Sequence, residues 1–405
     1  MIKKTIAILL LVTAMVANTA IIPAVAAPQN NVSQDAAKAA GKKADSSKTL
    51  DLKAKAAILI DAGTGNIMME KNSHEKLPIA SVTKVMSMLL IMEAIDSGKI
   101  TYEDKVQVSD HSYNMGGSQV YLKPGEEFTV MEMLKAVAIH SANDAVVALA
   151  EKVSGSEEAF VDLMNQKAKE LGMNDTNFLD CNGLTDEGHY SSANDVAIMS
   201  RELIEKHPKI LEITTIWHDT FRNGSFSLDN TNKLINSYNG CNGLKTGFTT
   251  KAGYCLSASA KRNNMQIIAV VLGEPDMDTR FSESKKLLDY GFANYEISQI
   301  SKSGDEMGSV EVRKGVGMSV KGVLKSDVSL LIQKGNKDQI KHSVKMMDFV
   351  EAPVKQGQKI GEVSFESNGK IVGKADVVAQ AEIKKASFVR LFFRMVIGWF
   401  GIGRK

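Results

Sequence analysis

The chain has 405 residues, of which 44% are hydrophobic and 24% are charged, and its formal net charge is +2. This length suggests two domains, and the composition is ordinary for a globular protein. Six basic and no acidic residues lie within residues 384–405, so the remainder of the mature chain is acidic. This argues against a generally basic surface, and we expect no nucleic-acid partner.

The N-terminus has the pattern of a secretory signal peptide. Lys3 and Lys4 precede an apolar run over residues 6–16, and a small-x-small cleavage site ends at Ala26. We therefore predict a signal peptide over residues 1–26 and export of the mature chain. Residues 27–49 are polar and Ala-rich without apolar periodicity, which is typical of a flexible leader.

The first predicted elements are a strand, a turn and a second strand over residues 56–69. From Ser81 to about Asp96 the chain is apolar on nearly every side, which predicts a helix buried in a core. Further helices are predicted in three segments, at residues 130–153, 157–171 and 194–206.

Ser81 and Lys84 stand at the start of this buried helix, three residues apart and therefore on one face. The lysine amine can thus reach the serine hydroxyl, and the positive dipole end of the helix disfavours a protonated lysine. A base must be neutral, so the two residues are candidates for the nucleophile and the base of an acyl-transfer reaction.

Two further motifs follow in the order found in serine acyl-transfer enzymes whose base is lysine. Ser141 and Asn143 fall between two apolar helical stretches, and such a joint can present both side chains to a cleft. The Lys-Thr-Gly string that starts at Lys245 precedes a predicted hairpin, so it can lie on a strand facing the nucleophile. Gly247 allows close backbone approach, Lys245 adds positive charge, and Thr246 can bind a carboxylate.

Each short motif also has copies elsewhere, so spacing alone does not identify the site. A second Ser-x-Asn string begins at Ser192, and a Lys-x-Gly string begins at Lys302. Three further Ser-x-x-Lys pairs begin at Ser73, Ser282 and Ser367. Of the Ser-x-x-Lys serines, Ser81 alone opens a buried helix, whereas Ser192 is predicted to cap a helix. Placement in the chain therefore favours the three motifs that contain Ser81, Ser141 and Lys245.

The third motif is followed by a hairpin, predicted from residues 254–260 and 266–272 with a four-residue turn, and by a helix from about Thr279 to Tyr290. We therefore predict an α+β domain over residues 50–295, with helices packed on an antiparallel sheet. Short Val/Ile/Lys/Gly strands beyond this point predict a small all-β domain over residues 296–382.

Residues 383–405 predict an amphipathic helix that anchors the protein to a membrane surface. Five large apolar side chains share one helical face: Phe388, Leu391, Phe392, Met395 and Trp399. Arg390 and Arg394 lie four residues apart on another face. The segment is too short and too charged to span a bilayer. A helix docked on the β domain is the alternative.

On these motifs the chain resembles the low-molecular-mass penicillin-binding proteins that are serine-type D-Ala-D-Ala carboxypeptidases of the peptidase S11 family. Further matching strings begin at Ile79, Gly117, Leu171, Asn182, His189 and Thr279. The resemblance implies a β-lactamase/transpeptidase-like fold and removal of the terminal D-alanine from peptidoglycan stem pentapeptides through an acyl-enzyme. It also implies acylation by β-lactams and a place at the extracytoplasmic face of the bacterial cytoplasmic membrane.

The resemblance also implies roles for single residues. Ser81 would be the nucleophile, Lys84 its base, and Ser141 the relay of a proton to the leaving amine. Substrate would be bound by Asn143, Lys245, Thr246, Gly247, Phe248 and Arg280, and the backbone N–H groups of Ser81 and Phe248 would form the oxyanion hole. Some members carry histidine where this chain has Phe248, so the sequence departs from that pattern here.

Other interpretations stay open at this point. A D,D-endopeptidase that cuts crosslinks, or a β-lactam-binding membrane protein without turnover, would carry the same motifs. A class A β-lactamase would use a glutamate, for which Glu170 is a superficial match, but the β domain and the anchor do not fit a free lactamase.

The chain has no Gly-x-Ser-x-Gly string, which argues against a classical Ser-His-Asp hydrolase. Its seven histidines lack the spacing of zinc ligands, so we expect no metal or other cofactor. The three cysteines predict buried free thiols, and a Cys241–Cys255 disulfide is the alternative.

Overall fold

The computed structural model of the protein describes residues 50–185, 187–367 and 369–401. The predicted signal peptide and leader, residues 1–26 and 27–49, lie outside the described residues. The described chain forms an α+β domain, an all-β domain and a last helix.

The strands of the α+β domain are β1 (Ala56–Asp61), β2 (Ile67–Lys71), β3 (Lys105–Gln107), β4 (Glu127–Thr129), β5 (His218–Phe221), β6 (Phe226–Asp229), β7 (Cys241–Thr249), β8 (Gly253–Arg262) and β9 (Met265–Glu274). Five of them form an antiparallel sheet in the order β2-β1-β9-β8-β7. Strands β1 and β9 are apolar and buried over almost their whole length, as expected for strands covered on both faces.

The helices of this domain are α1 (Lys84–Asp96), α2 (Asp110–Tyr113), α3 (Val130–Lys135), α4 (Asn143–Ser154), α5 (Glu157–Glu170), α6 (Ala193–Lys206), α7 (Ile210–Thr214), α8 (Leu234–Ser237) and α9 (Met277–Asn294). Helix α1 is apolar all round because it lies in the core, in contact with α4, α5 and α6. This core includes Ile58 and Ile268 of the sheet. Helix α9 approaches the sheet at Leu59 and Ile267, whose side chains point to the opposite face.

The hairpin of β8 and β9 is longer than its sequence pattern indicated. The strands continue to Arg262 and resume at Met265, so the turn has two residues rather than four. Asn263 has a φ of 53°, a left-handed conformation that asparagine adopts more readily than most residues. The charged Lys261 and Arg262 therefore belong to the strand, where their polarity had indicated a turn.

The strands of the all-β domain are β10 (Tyr295–Ser301), β11 (Glu306–Arg313), β12 (Ser319–Leu324), β13 (Val328–Gln333), β14 (Lys341–Met346), β15 (Phe349–Glu351), β16 (Lys359–Ser367) and β17 (Lys370–Ala379). They form a six-stranded sheet in the order β14-β16-β17-β12-β11-β15 and a separate β10–β13 pair. Pairing is antiparallel except between β11 and β15. Val310, Val320, Leu330 and Phe365 from different strands share its core.

The last helix, α10, runs over Phe388–Gly401. The residues just before it pair with the β domain: Ile383 bridges Val354, and Lys385 bridges Gly315. Large apolar side chains of α10 are exposed, including Phe388 at 81% and Trp399 at 83%. In the part of the chain that the structure describes, no helix is both long and apolar enough to cross a membrane.

The three cysteines are buried free thiols, and the alternative Cys241–Cys255 disulfide is not formed. Both residues lie on the central sheet, where Cys241 pairs with Ala260 and Cys255 with Gly247. Burial raises the pKa of Cys255 to about 11, so this thiol stays protonated at neutral pH.

Candidate active site

Ser81 lies in a single 3₁₀ turn, Ala80–Thr83, that leads directly into α1. Its neighbour Ala80 has a φ of +47°, an uncommon conformation for a residue other than glycine. Strand β7 packs against this turn so closely that a Cβ on Gly247 would come within 2.6 Å of the Ile79 carbonyl oxygen and 3.1 Å of the Ser81 nitrogen. The close approach of β7 therefore requires glycine at this position.

Lys84 is fully buried at the start of α1, with three polar partners around its amine. Its Nζ lies 2.8 Å from Ser81 Oγ, 2.6 Å from Asn143 Oδ1 and 2.8 Å from the Asn182 carbonyl oxygen. Burial lowers the pKa of Lys84 to about 7, although nearby acidic groups act in the opposite direction. A large share of the amine is therefore neutral near neutral pH and able to accept the Ser81 proton.

Ser141 and Asn143 are positioned by an irregular joint between α3 and α4. A π-helical turn over Ala136–His140 ends at Ser141, whose φ is +68°. This break lets α4 begin at Asn143, so that its side chain reaches Lys84 and its Nδ2 donates to the Gly116 carbonyl oxygen at 2.7 Å. The sequence predicted such a joint, and the structure brings Asn143 into direct contact with the lysine.

Strand β7 brings Lys245 and Thr246 to the same region. Lys245 is buried and its Nζ donates to the Thr246 carbonyl oxygen at 2.9 Å. Burial lowers the pKa of Lys245 well below its ordinary value, and the charges of Lys84 and Arg280 lower it further. Thr246 Oγ1 donates to Thr231 Oγ1 at 2.8 Å, which holds the Thr246 hydroxyl in place.

Phe248 and Arg280 lie at the end of β7 and the start of α9. The Phe248 ring is 52% exposed and its centroid is 4.3 Å from that of Tyr254. Arg280 is buried beside the Tyr254 and Phe281 rings, and its Nη1 donates to the Gly247 carbonyl oxygen at 3.4 Å. Its Nε has no hydrogen-bond partner among the described residues, so this guanidinium retains donor capacity beside β7.

The motif copies occupy other environments. Ser192 Oγ accepts from the Asp195 N–H at 3.1 Å, which makes it the predicted helix cap. Ser73 bonds to Glu70, and Ser282 Oγ donates to the Thr279 carbonyl oxygen within α9. None of these contacts links a copy to a buried lysine.

The sequence motifs did not include the loop over residues 180–185, which the structure places against Lys84. The Asn182 carbonyl oxygen is a hydrogen-bond acceptor for the lysine amine, and Gly183 lies against Ala80. The Asn-Gly-Leu string had been noted as part of the family resemblance, but a backbone carbonyl gives no signal in residue type. The sequence analysis also missed Thr231, the hydrogen-bond partner of Thr246, because Thr231 belongs to none of the three motifs.

The arrangement supports nucleophilic chemistry. A serine hydroxyl lies beside a buried amine of lowered pKa, and donors from β7 and Arg280 surround the same region. In the described ranges, no three His, Cys, Asp or Glu side chains are grouped so that they could hold a metal ion.

Comparison with known proteins finds two matching family profiles. Residues 40–276 match the profile described as D-alanyl-D-alanine carboxypeptidase, and residues 295–385 match penicillin-binding protein 5, C-terminal domain. D-alanyl-D-alanine carboxypeptidase DacF of Bacillus subtilis is 45% identical over 363 residues, which cover 88% of this chain and 93% of that protein.

Solved structures are similar over the same regions. Penicillin binding protein 5 from Haemophilus influenzae is 32% identical with a TM-score of 0.74, over 84% of this chain and 99% of that one. The ampicillin-bound form of penicillin-binding protein D2 from Listeria monocytogenes is 33% identical with a TM-score of 0.56, over 60% of this chain and 99% of that one. The predicted fold class, a transpeptidase-like α+β domain followed by an all-β domain and a C-terminal helix, is confirmed.

Proposed function

The chain belongs to the D-alanyl-D-alanine carboxypeptidase family, peptidase S11, and we propose that Ser81 is its nucleophile and Lys84 its base. The protein is a serine-type D-alanyl-D-alanine carboxypeptidase that acts on peptidoglycan peptides and binds β-lactams. The observation that carries the residue assignment is the 2.8 Å separation of Lys84 Nζ and Ser81 Oγ, with the amine fully buried.

In the acylation step, neutral Lys84 takes the hydroxyl proton of Ser81 while Oγ attacks the carbonyl carbon between the two D-alanines. The backbone N–H groups of Ser81 and Phe248 would stabilise the oxyanion that forms. The C–N bond then breaks, and the leaving amine receives a proton through Ser141. Free D-alanine departs, water hydrolyses the Ser81 ester, and the hydroxyl is restored.

The remaining site residues would hold the substrate. Arg280, Lys245 and Thr246 offer a guanidinium, an amine and a hydroxyl for the terminal carboxylate. Asn143 uses one amide hydrogen on Gly116 and retains a second for the substrate backbone. Phe248 supplies no imidazole at the position where some family members carry histidine, so deacylation here proceeds without that group.

The test measures D-alanine released from a diacetyl-Lys-D-Ala-D-Ala peptide by the purified protein and its Ser81→Ala variant. We expect a loss of at least about 1000-fold in the variant, because no acyl-enzyme can form. Ser282→Ala is the matched control, since it removes an exposed serine from another Ser-x-x-Lys pair, and it should keep the parent rate. Equal release by Ser81→Ala and the parent would refute the assignment. Crosslinked muropeptides in parallel would reveal an endopeptidase if they were cut faster than the pentapeptide.

We also propose that the protein is exported and held at the outer face of the cytoplasmic membrane by α10. The exposed apolar side chains of α10 are too many and too large for a helix docked only on its own domain; they include Phe388, Val389, Phe392, Phe393, Met395, Ile397 and Trp399. A helix of this kind binds in the plane of a membrane surface, with its apolar face among the acyl chains.

The two arginines of α10 differ in their surroundings. Arg394 donates to the carbonyl oxygens of Gly315 and Val316 at 2.8 and 2.6 Å, so it sets the rotation of the helix relative to the β domain. Arg390 is exposed and makes no such side-chain contact to that loop, which leaves its charge for anionic lipid headgroups.

Flotation with vesicles of phosphatidylglycerol and phosphatidylcholine tests the anchor. The chain should float with the vesicles, and truncation after Ser387 should abolish flotation. Arg390→Gln should weaken vesicle binding by about 1 kcal/mol at low salt, because one positive charge near the anionic lipids is lost. Binding of this variant should also depend less on salt concentration than binding of the parent. Lys334→Gln is the control: it also removes one positive charge, but Lys334 is far from α10 in sequence and donates to the Phe292 carbonyl oxygen. This variant should bind vesicles like the parent. Flotation of the truncated protein would rule the anchor out.

A further inference from the structure

We propose that Asp180 is a positioning residue of the carboxypeptidase reaction: it shapes the loop that supplies the backbone acceptor for Lys84, and its charge raises the pH at which that lysine begins to work as a base. The proposal deepens the assignment of Lys84 given above and rests on it. Asp180 belongs to none of the three motifs, and it does not touch Ser81 in the structure.

The Asp180 carboxylate organises the loop over residues 180–185 through its backbone. Oδ1 accepts from the N–H groups of Asn182 at 3.0 Å and Gly183 at 2.5 Å, and Oδ2 accepts from the N–H of Thr185 at 2.7 Å. A carboxylate with three N–H donors holds the chain in a tight turn. This turn points the Asn182 carbonyl oxygen at Lys84 Nζ, 2.8 Å away.

The same loop is fixed to the nucleophile turn at two other points. Gly183 has a φ of +83°, and a Cβ there would lie 2.0 Å from the Ala80 carbonyl oxygen, so the two backbones are in direct contact. His189 Nδ1 accepts from the Leu179 N–H at 3.1 Å, and its Nε2 lies 2.7 Å from Thr83 Oγ1. The Asp180 loop and the turn that carries Ser81 therefore form one unit.

The charge of Asp180 acts on Lys84 as well. Burial opposes ionisation of Asp180, but the hydrogen bonds from Gly183 and Thr185 outweigh it and hold its pKa below the usual value. Cys181, Asp180 and Asp144 are the groups whose charge would raise the pKa of Lys84. Burial raises the pKa of the Cys181 thiol well above its ordinary value, so it is neutral near pH 7 and the two aspartates remain.

Three other ionisable groups, Glu157, His189 and Lys245, lie around the loop and Lys84. Glu157 accepts from the Cys181 N–H at 3.1 Å, and His189 Nδ1 lies 3.8 Å from Asp180 Oδ1. On the side of β7, Lys245 faces Lys84 and has a lowered pKa of its own. The negative charge of Asp180 stabilises the protonated amine of Lys84. Removal of this charge should therefore lower the pKa of Lys84 further below its ordinary value.

The experiment measures the second-order rate of acylation by a fluorescent penicillin from about pH 5 to pH 9. In the parent, the rate should rise with pH to a plateau, with a midpoint near the Lys84 pKa of about 7, because only the neutral amine is a base. Asp180→Asn should move this midpoint to lower pH by at least about 0.5 unit. Its plateau should fall about 10-fold, because an amide cannot accept all three N–H groups.

Two further variants separate charge from geometry. Asp180→Glu keeps the charge but displaces the carboxylate, so its plateau should fall while its midpoint stays at the parent value. Asp61→Asn is the matched control, since Asp61 is also buried and accepts from Thr64 N–H and Oγ1 but lies on β1, and it should keep both parent values.

The outcomes that overturn the proposal are distinct from failure of the catalytic assignment. An Asp180→Asn variant with the parent midpoint would refute the charge effect, whatever its plateau, and Asp180→Glu with the parent plateau would refute the positioning role. If Asp180→Asn does not fold, as judged by thermal unfolding, the Asp180→Glu plateau still decides. A parent protein that penicillin does not acylate, or a Ser81→Ala variant that it does, would instead refute the assignment of Ser81 and Lys84.

Discussion

Two lysines carry the chemistry of this site because the fold removes both from water. Lys84 has polar partners for its amine but no carboxylate in hydrogen-bond contact, so burial lowers its pKa to about 7. Lys245 is buried nearby, and burial together with the charges of Lys84 and Arg280 lowers its pKa. An ion pair at Lys84 would hold its amine protonated and remove the base.

Gly247 is the residue that allows this cluster to close, and we predict that Gly247→Ala inactivates the enzyme. The added Cβ would meet the Ile79 carbonyl oxygen at 2.6 Å, so β7 must move away from Ser81. Displacement of this size should lower the acylation rate by about 100-fold or more.

The measurement for Gly247→Ala is the fluorescent-penicillin acylation rate, together with the melting temperature. Gly63→Ala is the control, because its Cβ would have only an ordinary contact at 3.5 Å with Asp61 Oδ2. Parent-like acylation by Gly247→Ala would show that the approach of β7 to the Ser81 turn does not matter for the reaction.

At the scale of elements, the junction of β9 and α9 holds two buried glutamates. Glu283 on α9 accepts from the backbone N–H groups of Lys53 and Ala54 at 2.7 and 3.1 Å, which ties the start of the described chain to the domain. Both carboxylate oxygens of Glu274 are buried without a hydrogen-bond partner among the described residues. Burial and the neighbouring Glu283 raise the pKa of Glu274 to about 8, so Glu274 is protonated at neutral pH.

This junction makes stability depend on pH. The unfolded chain loses the Glu274 proton near pH 4.5, whereas the folded chain keeps it to about pH 8. Between these values the folded state binds more protons, so the free energy of unfolding falls as pH rises. Linkage alone would give Glu274→Gln, which cannot ionise, a gain of about 3.5 kcal/mol relative to the parent between about pH 5 and pH 8. Because solvent partly screens this group, we predict a gain of about 2 kcal/mol.

Thermal or urea unfolding at both pH values measures this gain for Glu274→Gln. The exposed Glu311→Gln serves as the control and should follow the parent. A Glu274→Gln variant whose stability changes with pH as much as that of the parent would show that Glu274 is not protonated in the folded protein.

At the scale of the whole molecule, the segment before α10 belongs structurally with the β domain. Ile383 exchanges backbone hydrogen bonds with Val354 at 2.9 Å and fills the space beside Gly315 and Gly317. The N–H of Ala386 donates to the Lys314 carbonyl oxygen at 2.8 Å. The chain is thus paired with the β domain up to the residue before Ser387, and the exposed apolar surface begins at Phe388.

We predict that two truncations of similar length differ in stability. A chain that ends at Ser387 should keep the melting temperature of the parent, whereas a chain that ends at Glu382 should melt several degrees lower, because it loses the Ile383 and Ala386 contacts. Calorimetry of both chains measures the difference. Equal melting temperatures would mean that residues 383–386 contribute nothing to the β domain.

Much of this protein could be read from residue types and their order. The apolar runs and the turn of residues 56–69, the apolar helix after Ser81 and the change of composition near residue 296 predicted the α+β and all-β domains, because the local pattern of apolar residues indicates which segments are buried. The three motifs, in order, indicated the S11 family and its reaction. The turn between β8 and β9 was predicted to have four residues but has two. The prediction was wrong because the charged Lys261 and Arg262, which indicated a turn, occupy an exposed strand end.

What only the tertiary structure decided is which groups surround the base. The same Ser-x-x-Lys spacing recurs at Ser73 and Ser282, and burial distinguishes Lys84 from the lysines of those pairs. The Asn182 carbonyl oxygen, the Asp180 carboxylate behind it and the contact of Gly183 with Ala80 join segments about 100 residues apart. Such contacts have no local pattern: a carbonyl is present at every residue, and which one meets an amine depends on how distant segments pack together.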